Sequence, residues 1–208
     1  MELTVVTSTP RPHDLLRLSN ADLVLPEAPQ WVRRALRATP WVVVRRAESV
    51  VCLIAVGVRG GRRADRYAMA VAAADVAETV APENLAHRTS RDVQAMRALA
   101  GVRAALDRTA LRWGPTGSVG FELATGVSTA TEESDLDLLV RIPRLTPETL
   151  AQLAELDRLF ADQPARIDCQ VETDCGAFAL TELIGGEPEI LMRAATGPKL
   201  VSRAVAMS

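Results

Sequence analysis

Two stretches of this chain carry residue types that do chemistry together: Gly117-Ser118-Val119-Gly120-Phe121-Glu122 and, after a short interval, Ser134-Asp135-Leu136-Asp137-Leu138-Leu139-Val140. Side chains alternate faces along a strand, so Asp135 and Asp137 project to one side while Leu136, Leu138 and Val140 enter the core. Two carboxylates converging on one rigid face repel unless a cation lies between them, and oxygen ligands of this kind suit a hard divalent ion such as Mg²⁺. Gly117 and Gly120 let the backbone approach a ligand closely, and Ser118 adds a hydroxyl beside backbone N–H donors. That combination cradles phosphate oxygens. It is not a Walker loop, because no Gly-Lys-Ser/Thr follows.

A further acid is expected on the next strand. In Arg166-Ile167-Asp168-Cys169-Gln170-Val171-Glu172, Ile167, Cys169 and Val171 alternate against Asp168, Gln170 and Glu172; Asp168 stands nearer the strand start and is the better ligand, with Glu172 second. An Asp-x-Asp pair alone is more often a solvated edge. The ordered set of helix, Gly-Ser entrance, Asp-x-Asp strand and acid-bearing strand is what argues for function.

The elements that position these residues read as mixed helix and strand. Glu27 to Ala38 is expected to be helical and stopped by Pro40, followed by a hairpin of Trp41–Arg46 and Val50–Val58. An alanine-rich helix is expected over Tyr67–Val80, and a longer one from about Ser90 to Arg112 with Val93, Met96, Leu99, Leu106 and Ala110 on one stripe. Strands are expected at Ser118–Leu123, Leu136–Ile142 and Arg166–Val171, with a helix over Pro147–Phe160 that Thr146 caps. The predicted fold class is α+β and two-lobed: a smaller N-terminal α+β domain (1–85) for substrate or carrier-protein binding, then a catalytic domain (86–208) with a small mixed sheet flanked by helices.

Composition bounds the answer from outside. The chain has 208 residues, a formal charge of −2, 48% apolar and 3% aromatic residues, the proportions of a soluble globular protein. Lys199 is the only lysine, so arginine supplies 23 of the 24 basic residues. A near-neutral total argues against a nucleic-acid polymerase or repair module. The longest apolar run, Val50–Val58, is too short for the roughly 20 residues of a membrane span. Met1-Glu2-Leu3-Thr4 does not open a secretory signal, and Cys52, Cys169 and Cys175 fit no disulfide framework or zinc ribbon, so a cytoplasmic location is expected. Arg59, Arg62, Arg63 and Arg66 crowd one loop; Arg59 and Arg63 are candidate phosphate ligands, against the plainer reading of a solvated loop. His13 and Asp14 read as a hydrogen-bonded pair or a helix cap, and His87 as structural.

Gly117-Ser118 with the Ser134–Leu139 block and Asp168 resembles the signature of polymerase-β-type nucleotidyltransferases. More narrowly, Gly117–Gly126, the Ser-Asp-Leu-Asp-Leu-Leu block, Gly176-Ala177-Phe178-Ala179-Leu180, Gly197-Pro198-Lys199-Leu200-Val201, His13-Asp14-Leu15-Leu16 and Val56–Gly60 resemble the phosphoribosyl-dephospho-CoA transferases of malonate decarboxylase, also called its holo-acyl-carrier-protein synthases. The likeness covers nearly the whole chain. It implies transfer of a phosphoribosyl-dephospho-CoA group from 2′-(5″-triphosphoribosyl)-3′-dephospho-CoA to a serine of the decarboxylase's acyl carrier subunit, with release of pyrophosphate. Implied too are Asp135, Asp137 and Asp168 as Mg²⁺ ligands and catalytic acids, and Gly117 and Ser118 as holders of the departing phosphates. The interval from Ser118 to Asp135 is longer than in many minimal nucleotidyltransferases, so the Thr125–Glu133 loop is expected to be mobile or substrate-specific. The rival readings are an ATP-dependent nucleotidyltransferase for a small molecule or protein, and a non-catalytic, antitoxin-like binding protein of the same fold.

Overall fold

A computed structural model describes residues 9–20, 27–48, 50–61 and 65–206. The chain divides into two compact units, 1–81 and 82–208. In the first, strands β1 (Leu15–Leu18), β2 (Trp41–Val44), β3 (Leu53–Arg59), β4 (Arg66–Ala72) and β5 (Val76–Val80) form a sheet of order β4-β3-β2-β1-β5. All of its pairings are antiparallel. Helix α1 (Gln30–Ala38) ends before Pro40 and packs Val32 and Leu36 into a core with Leu16, Val42, Val56 and Val58.

Two expectations fail in this unit. Tyr67–Val80 is not a helix but β4 and β5, joined by a short 3₁₀ turn at Ala73–Asp75. Along β4, Tyr67, Met69 and Val71 pack on the core while Arg66, Ala68 and Ala70 face outward. The period is therefore two, and pairing with β3 overrides the helix preference of the alanines. Leu15–Leu18, left unassigned by the sequence, is a strand with neighbours on both sides, and Leu15, Leu16 and Leu18 are buried. His13 and Asp14 do not cap a helix. They sit in a turn where His13 has φ 72° and the buried Asp14 accepts from the Arg11 N–H at 2.8 Å.

The second unit starts with a 3₁₀ turn at Pro82–Leu85 and helix α2 (Gln94–Asp107), whose Ala95, Met96, Ala98, Leu99, Val102 and Leu106 form one buried face. There follow β6 (Arg112–Pro115), α3 (Gly117–Thr125), β7 (Leu136–Arg141), α4 (Pro147–Ala161), β8 (Ile167–Glu172), β9 (Ala177–Ala179), α5 (Leu180–Ile184), β10 (Glu189–Ala194), β11 (Gly197–Ser202) and α6 (Arg203–Ala206). The sheet order is β11-β10-β9-β8-β7-β6, and only β7 and β8 are parallel, with α4 as the crossover between them. Thr146 caps α4 as the sequence predicts, in a box shared with Thr149 and with Pro147 at the first turn.

The expected strand at Ser118–Leu123 is helix α3. Pro115 ends β6, Gly117 turns the chain with φ 61°, and Val119 and Leu123 then bury one helical turn apart. Gly126, with φ 74°, closes the helix in the left-handed conformation that favours glycine there. The predicted helix to Arg112 stops at Asp107, because Arg112–Pro115 pairs with β7 as an edge strand.

Cys169 sits on β8 with its side chain in the core, and burial followed by the nearby charge of Asp157 pushes its thiol up to about 12. Cys52 and Cys175 are exposed. The native protein is expected to take up iodoacetamide at Cys52 and Cys175 but not at Cys169 until denatured, which peptide mass mapping reads directly.

Candidate active site

The site is built where β6, α3, β7 and β8 meet. Asp137 and Asp168 are direct register partners on the parallel strands β7 and β8, so both carboxylates stand on the same face near the strand starts. Further along that face come Leu139 beside Gln170 and then Arg141 beside Glu172. The far end is neutralised internally: Arg141, buried, donates to Glu172 at 3.0 Å and to Glu83 at 2.8 Å. At the near end two acids face one another. Like charges directly opposite on adjacent strands are unfavourable unless something positive stands near them.

Helix α3 delivers its first turn to the same place. The Thr116 N–H donates to the Asp137 carbonyl at 2.8 Å, which pins the helix start to β7. Gly117 then lies against the Asp137 side chain so closely that a Cβ would overlap Oδ2, and its φ of 61° is one that glycine adopts without strain. A Cβ on Gly120 would come within 2.6 Å of the Pro115 carbonyl, so both glycines are required by close backbone approach. The leading N–H groups of a helix have no acceptor within it, and the macrodipole adds partial positive charge, a combination that binds phosphate oxygens. Ser118 contributes its hydroxyl in that turn.

Asp135 precedes β7, half-buried, and enters it from a turn in which Ser134 Oγ accepts from the Thr131 N–H at 2.9 Å. Asp168 is 45% exposed, and its Oδ1 accepts from Arg166 Nη2 at 2.5 Å. Among the described residues no group of three or more His, Cys, Asp or Glu side chains is gathered to cage a metal. Mg²⁺ commonly binds through one or two carboxylates and fills its octahedron with water and substrate phosphates, and a two-carboxylate face beside a helix N-terminus fits that mode. Arg59 belongs to β3 of the N-terminal unit, opposite Arg66, and Arg63 lies outside the described residues.

Sequence reasoning missed Glu122. This carboxylate is 1% exposed yet has four partners: Ser90 Oγ at 2.9 Å, Arg91 Nε at 3.0 Å, and the backbone N–H groups of Thr129 and Ala130 at 2.8 and 3.0 Å. Arg91 also donates to the Ala130 carbonyl, and Thr129 Oγ1 donates to the Ser118 carbonyl at 2.8 Å. The Thr125–Glu133 loop is thus tied along α3 rather than mobile. Burial by itself raises the Glu122 carboxyl, but the N–H groups of Ala130 and Thr129, with Ser90 and Arg91, outweigh it and hold the group below the ordinary range.

Residues 11–82 match the family described as phosphoribosyl-dephospho-CoA transferase MdcG N-terminal domain, and residues 79–204 match its C-terminal domain. A protein of Pseudomonas aeruginosa named phosphoribosyl-dephospho-CoA transferase is 44% identical over 196 residues, covering 92% of both chains. One from Pseudomonas putida strain W619 is 41% identical, covering 94% of this chain and 95% of its own. One from Azotobacter vinelandii is 40% identical over 92% of each. No solved structure matches. The α+β chain is therefore an enzyme, a transferase. It belongs to the phosphoribosyl-dephospho-CoA transferase family.

Because the folded Glu122 carboxyl ionises more readily than the unfolded one, its contribution to stability is full above the unfolded value and is lost as pH falls through the folded one. Glu122→Ala leaves two loop N–H groups without their acceptor and is expected to cost on the order of 3 kcal/mol at neutral pH. That gap from wild type should narrow in urea melts as pH falls through the lowered folded value, where protonation weakens the wild-type contacts.

Proposed function

We propose that this enzyme transfers the phosphoribosyl-dephospho-CoA group from 2′-(5″-triphosphoribosyl)-3′-dephospho-CoA to a serine of the acyl carrier subunit of malonate decarboxylase, releasing pyrophosphate. The observation that carries this reading is the meeting of the α3 N-terminus with the register-paired Asp137 and Asp168. It supplies a phosphate cradle and paired acids on one face, as polymerase-β-type transfer requires. The names of the relatives supply the group transferred.

Each residue has a separate task. The leading α3 N–H groups and Ser118 Oγ hold the β,γ-phosphates, and Gly117 lets them approach the Asp137 carboxylate without a side chain in between. Asp135 and Asp137 would hold Mg²⁺, which supplies charge neutralisation to the triphosphate. The carrier serine Oγ attacks the α-phosphorus in line; the bond from that phosphorus to the β-phosphate oxygen breaks, and pyrophosphate leaves. With Oδ1 of Asp168 engaged by Arg166, its Oδ2 accepts the serine proton. Arg166 keeps this carboxylate oriented until that transfer.

Incubation of the carrier subunit with donor and enzyme should increase the carrier mass by one phosphoribosyl-dephospho-CoA group with one equivalent of pyrophosphate released. A carrier gaining an AMP-sized mass from ATP instead would establish the rival nucleotidyltransferase reading. Asp137→Asn should lower kcat by about 10³-fold with circular dichroism unchanged. Gly117→Ala, strained at its φ and crowding the carboxylate, should lower kcat by about 10²-fold. Near-normal turnover by folded Asp137→Asn refutes the assignment.

A further inference from the structure

Beside α3, within the C-terminal unit, lies a cleft of about 220 Å³ whose rim carries Arg88, Arg91, Arg97 and Arg103 over a floor of Met96 and Leu99. The four guanidiniums are not equivalent. Arg91 is neutralised by Glu122 at 3.0 Å, and Arg97 by Asp92 at 2.8 Å and Glu132 at 3.6 Å. Arg88 and Arg103 have no carboxylate partner among the described residues. Arg88 donates through Nη1 to the Leu123 carbonyl at 3.2 Å, and Arg103 through Nε to Ala86 O at 2.9 Å and through Nη2 to Arg88 O at 3.1 Å.

Backbone carbonyls hold these two cations in place without cancelling their charge. Each keeps N–H groups that no described acceptor takes: Nε and Nη2 of Arg88, and Nη1 of Arg103. Both residues line one concavity, and a bound anion with several acceptor oxygens would neutralise two such cations while meeting a preorganised guanidinium fork. The volume is about seven times the roughly 30 Å³ share of a water molecule, room for a diphosphate.

We infer that Arg88 and Arg103 bind a diphosphate, and that in the reaction this is the diphosphate bridge of the donor's dephospho-CoA arm; the second clause rests on the function proposed above. Geometry connects the two phosphate sites. Arg88 is fastened to Leu123 of α3, six residues after Gly117, so at 1.5 Å per residue its anchor lies about 9 Å along the helix from the cradle. One end of α3 faces the triphosphate, and the arginine held near its other end faces a second phosphate group of the same donor. The floor of Met96 and Leu99 offers apolar contact to whatever adjoins that bridge.

Calorimetric titration with dephospho-CoA and, separately, with inorganic pyrophosphate tests this without reference to transfer. Wild-type enzyme is expected to bind dephospho-CoA with an affinity that falls as salt rises. Arg88→Gln should weaken it about tenfold, Arg88→Lys should recover part of the loss, and Asp137→Asn should leave it unchanged. Because Arg103 also ties down the Ala86–Arg88 segment, Arg103→Lys is used there, with a thermal melt confirming the fold. In turnover assays Arg88→Gln should raise the donor KM about tenfold with kcat nearly unchanged. Unaltered dephospho-CoA affinity in folded Arg88→Gln overturns the inference. So does weakening of pyrophosphate binding alone, since the cleft would then hold the free product. Loss of dephospho-CoA binding in Arg88→Gln in an enzyme that modifies no carrier would uphold the diphosphate site and sink only the transfer reading.

Discussion

Parallel pairing of β7 with β8 sets Asp137 directly opposite Asp168, and the chemistry of the site depends on how that juxtaposition is balanced. Two unit charges about 5 Å apart repel by about 1 kcal/mol in bulk water and about 3 kcal/mol at the effective dielectric near a protein surface. Against this stand the start of α3 beside Asp137, worth about 0.3–1 kcal/mol, and the exposed Arg166–Asp168 pair, worth at most about 1 kcal/mol. Adding a triphosphate, with several more negative charges at the same helix end, cannot be balanced by those two contributions. In the proposed reaction a divalent cation on Asp135 and Asp137 would meet that deficit, which is the reason to expect acids rather than more arginines on a phosphate-facing surface.

The same constraint explains why α3 is fixed so firmly. Its N-terminal turn must stay against Asp137, and the Thr116 N–H bonded to the Asp137 carbonyl, together with the missing side chain of Gly117, fixes that distance. Its outer side is fixed by Glu122, a buried carboxylate whose oxygens satisfy both the loop N–H groups and Arg91. A buried charge left unpaired costs several kcal/mol, so the loop that leads into Asp135 is held by a requirement rather than by weak surface contacts. The long interval between Ser118 and Asp135 is thus a strap along the helix, not a gap in the motif.

What the sequence made legible follows the range of the interactions. The face shared by Asp137 and Asp168 is readable because strand alternation is local, and the α4 start because Thr146 and Pro147 act within one turn. Helix α3 was misread as strand since Val119-Gly120-Phe121 carries a β-like composition; the deciding facts, β6 ending at Pro115 and the packing of Val119 and Leu123, are tertiary. The Tyr67–Val80 segment failed for the opposite reason: alanines favour a helix locally, while the side chains that pack, Tyr67, Met69 and Val71, alternate. Glu122 and its partners at 90, 91, 129 and 130 come from both sides of α3, and no spacing rule joins them.

Arg88 and Arg103 show the same limit in a form that bears on function. In the sequence they are two among 23 arginines, indistinguishable from the rest. What separates them from the other arginines of the cleft is the chemistry of their partners: Arg91 and Arg97 each reach a carboxylate, whereas these two reach carbonyls, which orient a guanidinium without discharging it. Their carrier segment is held in turn, since Glu83 is bound to Arg141 and the tight packing of Gly114 under Pro82 leaves no room for a side chain. The arginine-rich composition thus supplies many cations, and within the cleft the fold decides which of them keep charge to use. Selection of that kind follows from hydrogen-bond geometry, so it belongs to the folded unit and not to any one residue.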